Sequence, residues 1–355
     1  VVRGTSTSTI RTDFRTGDNT TANFDVASTG DASGVDLSLT SKFSHFEGVT
    51  WGYMSKSGAG TMQISGANNN IGSATVNAGK LLLKDSGIIN FGNGGLIINS
   101  AGQAELNVST GLQPTAGYVI SGAGTLTKTG AGTAILTASN TYTGNTYVQA
   151  GTLQIGNGGV TGQIGTGAIT NNAELIFNRG TTATALTVAN ALSGTGNLTI
   201  TQSGGITFNN AVSQANIAIA DTADTRTVQF SGNLTATGAL TVARGTNTYN
   251  VKILGSTNSI AGTTTFNNVG DLVVGDQAAD STAFTGGVIA TAPASRSIAG
   301  TISAAGTGVI NFSGGLTTVT DTATVGGAST GAITFAGVRI NDGKTLTLGA
   351  GSAAT

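Results

Sequence analysis

Short runs in which apolar and polar residues alternate recur along this chain. In residues 124–128, Leu126 is the apolar residue between two threonines, and residues 133–137, 146–148 and 152–155 alternate in the same way. Gly, Asn or Ser closes each run, and a period of two is typical of a strand with one buried face. No stretch keeps the spacing of three and four residues that marks an amphipathic helix. The pattern therefore predicts an all-β protein with almost no helix.

The alternating pattern repeats at a distance of 72 residues. Residues 56–84 and 128–156 align without gaps and are identical at 11 of 29 positions. A period of this length is typical of repeat architectures, and 72 residues would hold about three coils of roughly 24 residues each. The identical pairs include Lys56 with Lys128, Asn68 with Asn140, Gly72 with Gly144 and Gly79 with Gly151.

Short strands at regular spacing occur in sandwiches, propellers and solenoids. The repeat favours a solenoid, because each coil contributes a few Val, Ile and Leu side chains that only the neighbouring coil can bury. Glycine at the corners would supply the positive φ that sharp turns need. Asn68 and Asn140 are expected to form a hydrogen-bonded ladder if they occupy the same corner.

Residues 128–156 resemble the autotransporter-associated β-strand repeat. In that family a Lys-Thr-Gly-x-Gly-Thr turn leads through Leu-rich strands to Asn-Thr-Tyr-Thr-Gly, then Thr-x-Val and Gly-Thr-Leu. The copy at 56–84 departs from this pattern, since Asn69 and Asn70 replace the Thr-Tyr pair. The corresponding residues here are Lys128, Thr129, Gly130, Gly132, Thr133, Asn140, Thr141, Tyr142, Thr143, Gly144, Thr146, Val148, Gly151, Thr152 and Leu153.

The resemblance implies a right-handed parallel β-helix in the passenger region of a Gram-negative surface protein. It also implies that the repeat is a scaffold without catalytic residues. The positions that it marks as structural are Gly130, Gly132, Asn140, Tyr142, Gly144 and Gly151.

Composition narrows the class further. The 355 residues include 56 glycines and two prolines, and only 9% are charged, against about 25% in an average soluble domain. A net charge of −1 gives no electrostatic reason to expect nucleic-acid binding. The absence of cysteine excludes disulfides, and no apolar run approaches the roughly 20 residues of a membrane span. The chain opens without a signal-peptide pattern, so we expect a processed chain or a fragment.

The first 55 residues differ from the rest in composition. They contain the histidine His45, the tryptophan Trp51 and four phenylalanines, among them Phe43 and Phe46. A solenoid end exposes apolar core and needs a cap. We therefore predict two regions, with residues 1–55 forming the cap and first coils, and residues 56–355 forming a β-helix of degenerate repeats.

Candidate chemistry is sparse. His45 is the one histidine available to a hydrolytic triad, and a histidine in an aromatic cap is the simpler explanation. Asp221 with Asp224, and Asp271 with Asp276, are the carboxylate clusters that suit calcium or a glycoside-cleaving pair. Aspartates in turns more often cap backbone N–H groups. We expect no resident cofactor, with calcium as the alternative.

These observations predict an extracellular, structural or adhesive β-helix scaffold without enzymatic activity. A self-assembling subunit of a fibre or surface layer, stacking head to tail, is the alternative, and a polysaccharide-active enzyme is a distant third. Carbohydrate or a host surface is the expected ligand. Tyr142 and Tyr147 are the candidate contact residues, but Tyr142 occupies a repeat position and is expected to be structural instead. The expected location is the surface of a Gram-negative cell, with no membrane span in this chain.

Overall fold

Parallel strands make up both compact units of this protein. The computed structural model describes residues 6–45, 51–67, 69–85, 87, 89–111, 117–180, 182–201 and 204–349, which form 35 strands and contain no helix. The prediction of an all-β solenoid is confirmed. Within this described part, no helix has the length and apolarity needed to cross a membrane. Unit 1 extends from Val1 to Leu175 and unit 2 from Ile176 to Thr355.

Fifteen strands lie wholly in unit 1, and β16 (Glu174–Asn178) contains the boundary with unit 2. They are β1 (Ser8–Ile10), β2 (Phe14–Thr16), β3 (Thr21–Asp25), β4 (Leu37–Leu39), β5 (Phe43–His45), β6 (Tyr53–Ser57), β7 (Thr61–Ile64), β8 (Asn69–Lys84), β9 (Ile89–Asn107), β10 (Ile120–Gly122), β11 (Thr125–Thr129), β12 (Thr133–Leu136), β13 (Thr146–Val148), β14 (Thr152–Ile155) and β15 (Ile169–Asn171).

Each coil of unit 1 runs along three faces. On the first face β3, β6, the middle parts of β8 and β9, and β10 stack in parallel register. On the second face β4, β7, the ends of β8 and β9, and then β11 and β13 do the same. The third face includes β12 and β14. Alternate residues point inward, as in β6, where Met54 and Lys56 are buried and their neighbours are partly exposed.

The two copies of the repeat are not stacked in line, contrary to the expectation of three whole coils. Lys56 pairs with Val76, Val76 with Ile98 and Ile98 with Gly122, all on the first face. Three coils after Lys56 the register therefore reaches Gly122. Lys128 lies six residues further on, in β11 of the second face, because these coils have 20 to 24 residues and do not sum to 72. The repeat marks successive corners rather than one corner repeated.

Unit 2 contains the remaining nineteen strands. They are β17 (Leu186–Val188), β18 (Leu192–Ser193), β19 (Asn197–Thr201), β20 (Ile206–Phe208), β21 (Val212–Gln214), β22 (Asn216–Ile219), β23 (Thr227–Phe230), β24 (Leu234–Ala236), β25 (Leu240–Val242), β26 (Asn250–Ile253), β27 (Thr257–Ile260), β28 (Thr264–Thr265), β29 (Asp271–Val274), β30 (Ser281–Phe284), β31 (Val288–Ile289), β32 (Ser295–Gly306), β33 (Ile310–Ser329), β34 (Ile333–Ile340) and β35 (Leu346–Leu348).

The coils of unit 2 are similar in length, and its core is largely apolar, with some buried polar side chains such as Asn258 and Arg296. Paired residues lie from 19 positions apart, as in β19 with β22, to 24 apart, as in β27 with β30. Phenylalanines stack inside, and the ring centroids of Phe208 and Phe230 are 5.2 Å apart with an interplanar angle of 7°. Stacking of like side chains on adjacent coils buries surface that one coil alone leaves exposed.

Candidate functional site

A buried lysine occupies the first corner of the better repeat copy. Lys128 points inward from β11 and is fully buried. Its ammonium donates hydrogen bonds to the carbonyl oxygens of Thr129 at 2.7 Å, Gly130 at 2.8 Å and Ala150 at 3.0 Å. Two of these acceptors belong to the turn after β11 and the third lies one coil later. The side chain thus ties one turn to the next coil with all three of its donors.

In the degenerate copy, Lys56 makes equivalent contacts at its own corner. The Lys56 ammonium donates to the carbonyl oxygens of Ser57 at 3.1 Å, Gly58 at 2.7 Å and Ala78 at 2.8 Å. Burial lowers the pKa of Lys56 to about 8, with Asp36 and Asp25 acting in the opposite sense. Burial likewise lowers the pKa of Lys128 to about 8. Among the described residues, no carboxylate lies within hydrogen-bonding distance of either ammonium, and backbone carbonyls supply its hydrogen bonds.

Glycines give the lysine corner its close backbone contacts. Gly130 has φ +73° and Gly151 has φ +65°, a region that other residues avoid. A Cβ on Gly151 would lie 2.4 Å from the carbonyl oxygens of both Gly130 and Gly132. In the other copy, a Cβ on Gly79 would lie 2.5 Å from the carbonyl oxygens of Gly58 and Gly60. The glycines therefore let successive turns stack at the distance that the lysine bridges.

A buried asparagine holds the next corner of each copy. Asn140 Oδ1 accepts the backbone N–H of Ile120 at 2.8 Å, and its Nδ2 donates to the carbonyl oxygen of Gln163 at 2.7 Å. These partners lie one coil before and one coil after it. Asn69 has the same role, since its Oδ1 accepts the N–H of Phe43 at 2.7 Å. Asn68, which the ungapped alignment pairs with Asn140, lies outside the described residues.

Two further structural positions of the repeat, Tyr142 and Gly144, also lie in the interior or against a neighbouring coil. Tyr142 is fully buried, and its hydroxyl is 2.7 Å from Thr146 Oγ1. Burial raises the pKa of Tyr142 to about 12. A Cβ on Gly144 would lie 2.1 Å from the carbonyl oxygen of Gly124. Tyr142 therefore has no surface to offer a ligand, as its structural position in the repeat leads one to expect, whereas Tyr147 is partly exposed.

The aspartates considered for calcium bind groups on the neighbouring coil. Thr246 Oγ1 donates to Asp221 at 2.6 Å, the N–H of Thr248 donates to Asp224, and Ser295 Oγ donates to Asp271. Burial acts to raise the pKa of Asp221, but the hydrogen bonds from Thr246 and Thr222 hold it below its usual value.

Asp276 has a different environment from the other three aspartates. Burial and a hydrogen bond with Asp280 raise its pKa. In the part of the chain that the structure describes, no three His, Asp or Glu side chains are grouped closely enough to hold a metal ion. The side chain of His45 lies outside that part, so its role stays a prediction.

Reasoning from sequence missed the function of the two lysines. Their identity across the copies was visible, but lysine is almost never fully buried unless it is paired. The signal that identifies them is their position in β6 and β11: each stands in an inward-facing place of the alternating pattern and precedes a glycine-containing turn.

The fold and the repeated corner define the class of protein, which is a parallel β-solenoid with an internal repeat. Residues 54–83 and 126–155 match the passenger-associated-transport-repeat. The chain is also similar to the adhesin BmaC autotransporter of Brucella suis biovar 1 (strain 1330), with 32% identity over 166 residues. That alignment covers 41% of this chain and 5% of the adhesin, so the chain spans a small part of its relative. No solved structure matches the chain.

Proposed function

We propose that this chain is a non-enzymatic adhesive scaffold on the surface of a Gram-negative bacterium. The observation that carries the proposal is the pair of passenger repeats, together with the similarity to a protein named as an adhesin. The side chains that the repeat contributes support it as well. Lys128, Asn140 and Tyr142 are buried and form hydrogen bonds within the chain itself, which suits residues that hold a scaffold together.

A solenoid suits this task because, within each unit, the described coils are hydrogen-bonded to their neighbours along the stacked strands. The ladder spreads load over many backbone bonds, and its outer faces remain available for contacts. Head-to-tail stacking into a fibre stays a prediction from the sequence.

The test is a gain of adhesion. The 355-residue chain is displayed on a non-adherent laboratory bacterium through an unrelated outer-membrane anchor, and bacteria attached to cultured epithelial monolayers and to immobilised matrix proteins are counted. We expect several-fold more attached cells than with the anchor alone or with an unrelated solenoid of similar length. Attachment at the control level, with surface exposure verified by antibody, would contradict the proposal.

A further inference from the structure

A buried arginine occupies an inward-facing position of β32 in unit 2. Arg296 pairs with Leu272 on the coil before it and with Thr317 on the coil after it, and both partners are buried. The arginine is only 1% exposed, so its guanidinium lies within the solenoid. A guanidinium does not lose its proton in proteins. The interior of unit 2 therefore contains a permanent positive charge.

The guanidinium bonds to the turn between β31 and β32 with two of its three nitrogens. Its Nε donates to the carbonyl oxygen of Ala290, and its Nη2 donates to that of Thr291 at 3.0 Å. The third nitrogen, Nη1, is buried and has no hydrogen-bond partner among the described residues. Each lysine corner of unit 1 differs, because three carbonyl oxygens there accept from one ammonium. Arg296 is thus left with N–H groups that the fold does not satisfy.

A second unsatisfied group lies on the paired residue. Thr317 is fully buried, and its Oγ1 also has no partner among the described residues. Arg296 and Thr317 are register partners on adjacent parallel strands, which are about 4.8 Å apart, and both side chains point inward. Each buried polar group without a partner costs free energy. Two such groups on paired residues point to one shared partner.

No carboxylate of the described chain neutralises this arginine. Neither of the two ion pairs that the described residues form includes Arg296. Asp271, which precedes the paired Leu272 in β29, is exposed and accepts the hydroxyl of Ser295 instead. Carbonyl oxygens solvate a buried cation but leave its charge uncompensated, and a buried charge without a counter-ion is costly. The group that completes this site therefore needs a negative charge.

Two glycines cover the guanidinium and keep it close to solvent. A Cβ on Gly314 would lie 2.2 Å from Arg296 Nη2, and a Cβ on Gly315 would lie 3.2 Å from Nη1. The pairing of β33 with β34 shifts in register between Phe312 and Leu316, so this segment departs from the regular ladder. Gly314 and Leu316 are exposed. A thin, irregular segment therefore separates Nη1 from water, and a small ion can enter past it.

We infer that Arg296 and Thr317 bind a small inorganic anion inside unit 2, with chloride as the physiological ligand. Arg296 Nη1 supplies charged N–H donors, and the Thr317 hydroxyl supplies an O–H donor. A monatomic halide suits these groups because it accepts hydrogen bonds from any direction. The enclosed position disfavours larger oxyanions such as sulfate or phosphate. The inference does not depend on the proposed adhesive function.

The test is whether chloride stabilises the folded chain. Thermal unfolding of the full chain is followed by circular dichroism while sodium chloride or sodium bromide replaces sodium gluconate at constant ionic strength and pH. A ligand that binds only the folded state raises the unfolding midpoint, and we expect a rise of about 2 °C or more with either halide. Equal midpoints in the three salts would overturn the inference.

Variants separate binding at this site from a general effect of salt. Thr317→Val removes a hydroxyl that has no partner in the described chain, so the midpoint in gluconate should not fall, whereas the rise with chloride should shrink by about half or more. Arg296→Met should abolish the rise. Lys252→Met, which removes a partly exposed cation from β26 of unit 2, is the matched control and should respond as the parent does. A full rise in both Thr317→Val and Arg296→Met would place the ion elsewhere and contradict the inference.

Bromide also locates the site directly, because it scatters anomalously. Crystals of the full chain soaked in sodium bromide should show an anomalous peak beside Arg296 Nη1, and crystals of Arg296→Met should show none there. A water molecule at that position without anomalous signal would overturn the inference, even if the midpoint responded to salt. Bromide peaks confined to the molecular surface would overturn it as well.

Discussion

At the scale of single residues, this solenoid solves a problem that its carbonyl groups pose at the corners. Turn carbonyls that face inward cannot bond to water, and each unmet acceptor costs free energy. Lys56 and Lys128 each satisfy three of them with one ammonium group. Asn69 and Asn140 satisfy a donor and an acceptor in the same way at the next corner. Polar side chains inside this solenoid therefore join neighbouring coils.

Replacing Lys128 by methionine keeps the length of the side chain and removes its donors. Three buried carbonyls then lose their partner, so we expect the free energy of unfolding to fall by about 2–4 kcal/mol. Urea denaturation followed by circular dichroism measures the change. The control is Lys80→Met, which removes a partly exposed ion pair with Glu105 and should cost less than about 1 kcal/mol. Equal losses in the two variants would show that the buried ammonium has no special role.

At the scale of elements, the corners depend on glycine for two separable reasons. Gly151 and Gly158 both have positive φ, at +65° and +73°. A Cβ on Gly151 would be 2.4 Å from two carbonyl oxygens, whereas a Cβ on Gly158 would meet nothing within 4 Å. A comparison of substitutions at these two glycines therefore separates the cost of backbone strain from the cost of steric collision.

We expect Gly158→Ala to destabilise the protein by about 1 kcal/mol, which is the cost of a left-handed conformation for a residue with a Cβ. Gly151→Ala should cost at least twice as much, because two stacked turns must also move apart. Urea denaturation midpoints of the two variants test this. A loss in Gly151→Ala no greater than that in Gly158→Ala would mean that the coils are not held at the distance described here.

The sequence predicted the short strands well and the long ones poorly. The alternation at 124–128, 133–137, 146–148 and 152–155 corresponds to β11, β12, β13 and β14 within one or two residues. β8 and β9 were missed as single elements, since they extend over 16 and 19 residues and continue round corners with only local shifts of register. Alternation within a sequence does not reveal whether the backbone bends at a corner or breaks there.

At the scale of the whole molecule, the hydrogen bonds of the aspartates bear on whether the chain binds calcium. Asp221, Asp224 and Asp271 accept hydrogen bonds from the hydroxyl or N–H groups of residues about one coil later. Among the described residues, no three acidic or histidine side chains are grouped closely enough to hold a metal ion. The division into residues 1–55 and 56–355 stays a prediction.

We expect millimolar calcium, or its removal by a chelator, to leave the melting temperature of the chain within about 1 °C, because a ligand stabilises only the state that binds it. Thermal unfolding followed by circular dichroism is the measurement, and magnesium at the same ionic strength is the control. A rise of about 5 °C or more with calcium alone would reveal a site and contradict this expectation.

The sequence by itself determined the all-β class, the strand positions in the repeat and the passenger resemblance, because these follow from a period of two and from motifs within some thirty residues. Only the tertiary structure decided what lies one coil away. It decided that the repeat copies occupy successive corners, that the two lysines are buried, and that Asn69, like Asn140, accepts a backbone N–H from the coil before it. It also placed Trp51 over Gly92, some 40 positions later. Coil length sets these contacts, and it varies between coils in a way that local alternation does not encode.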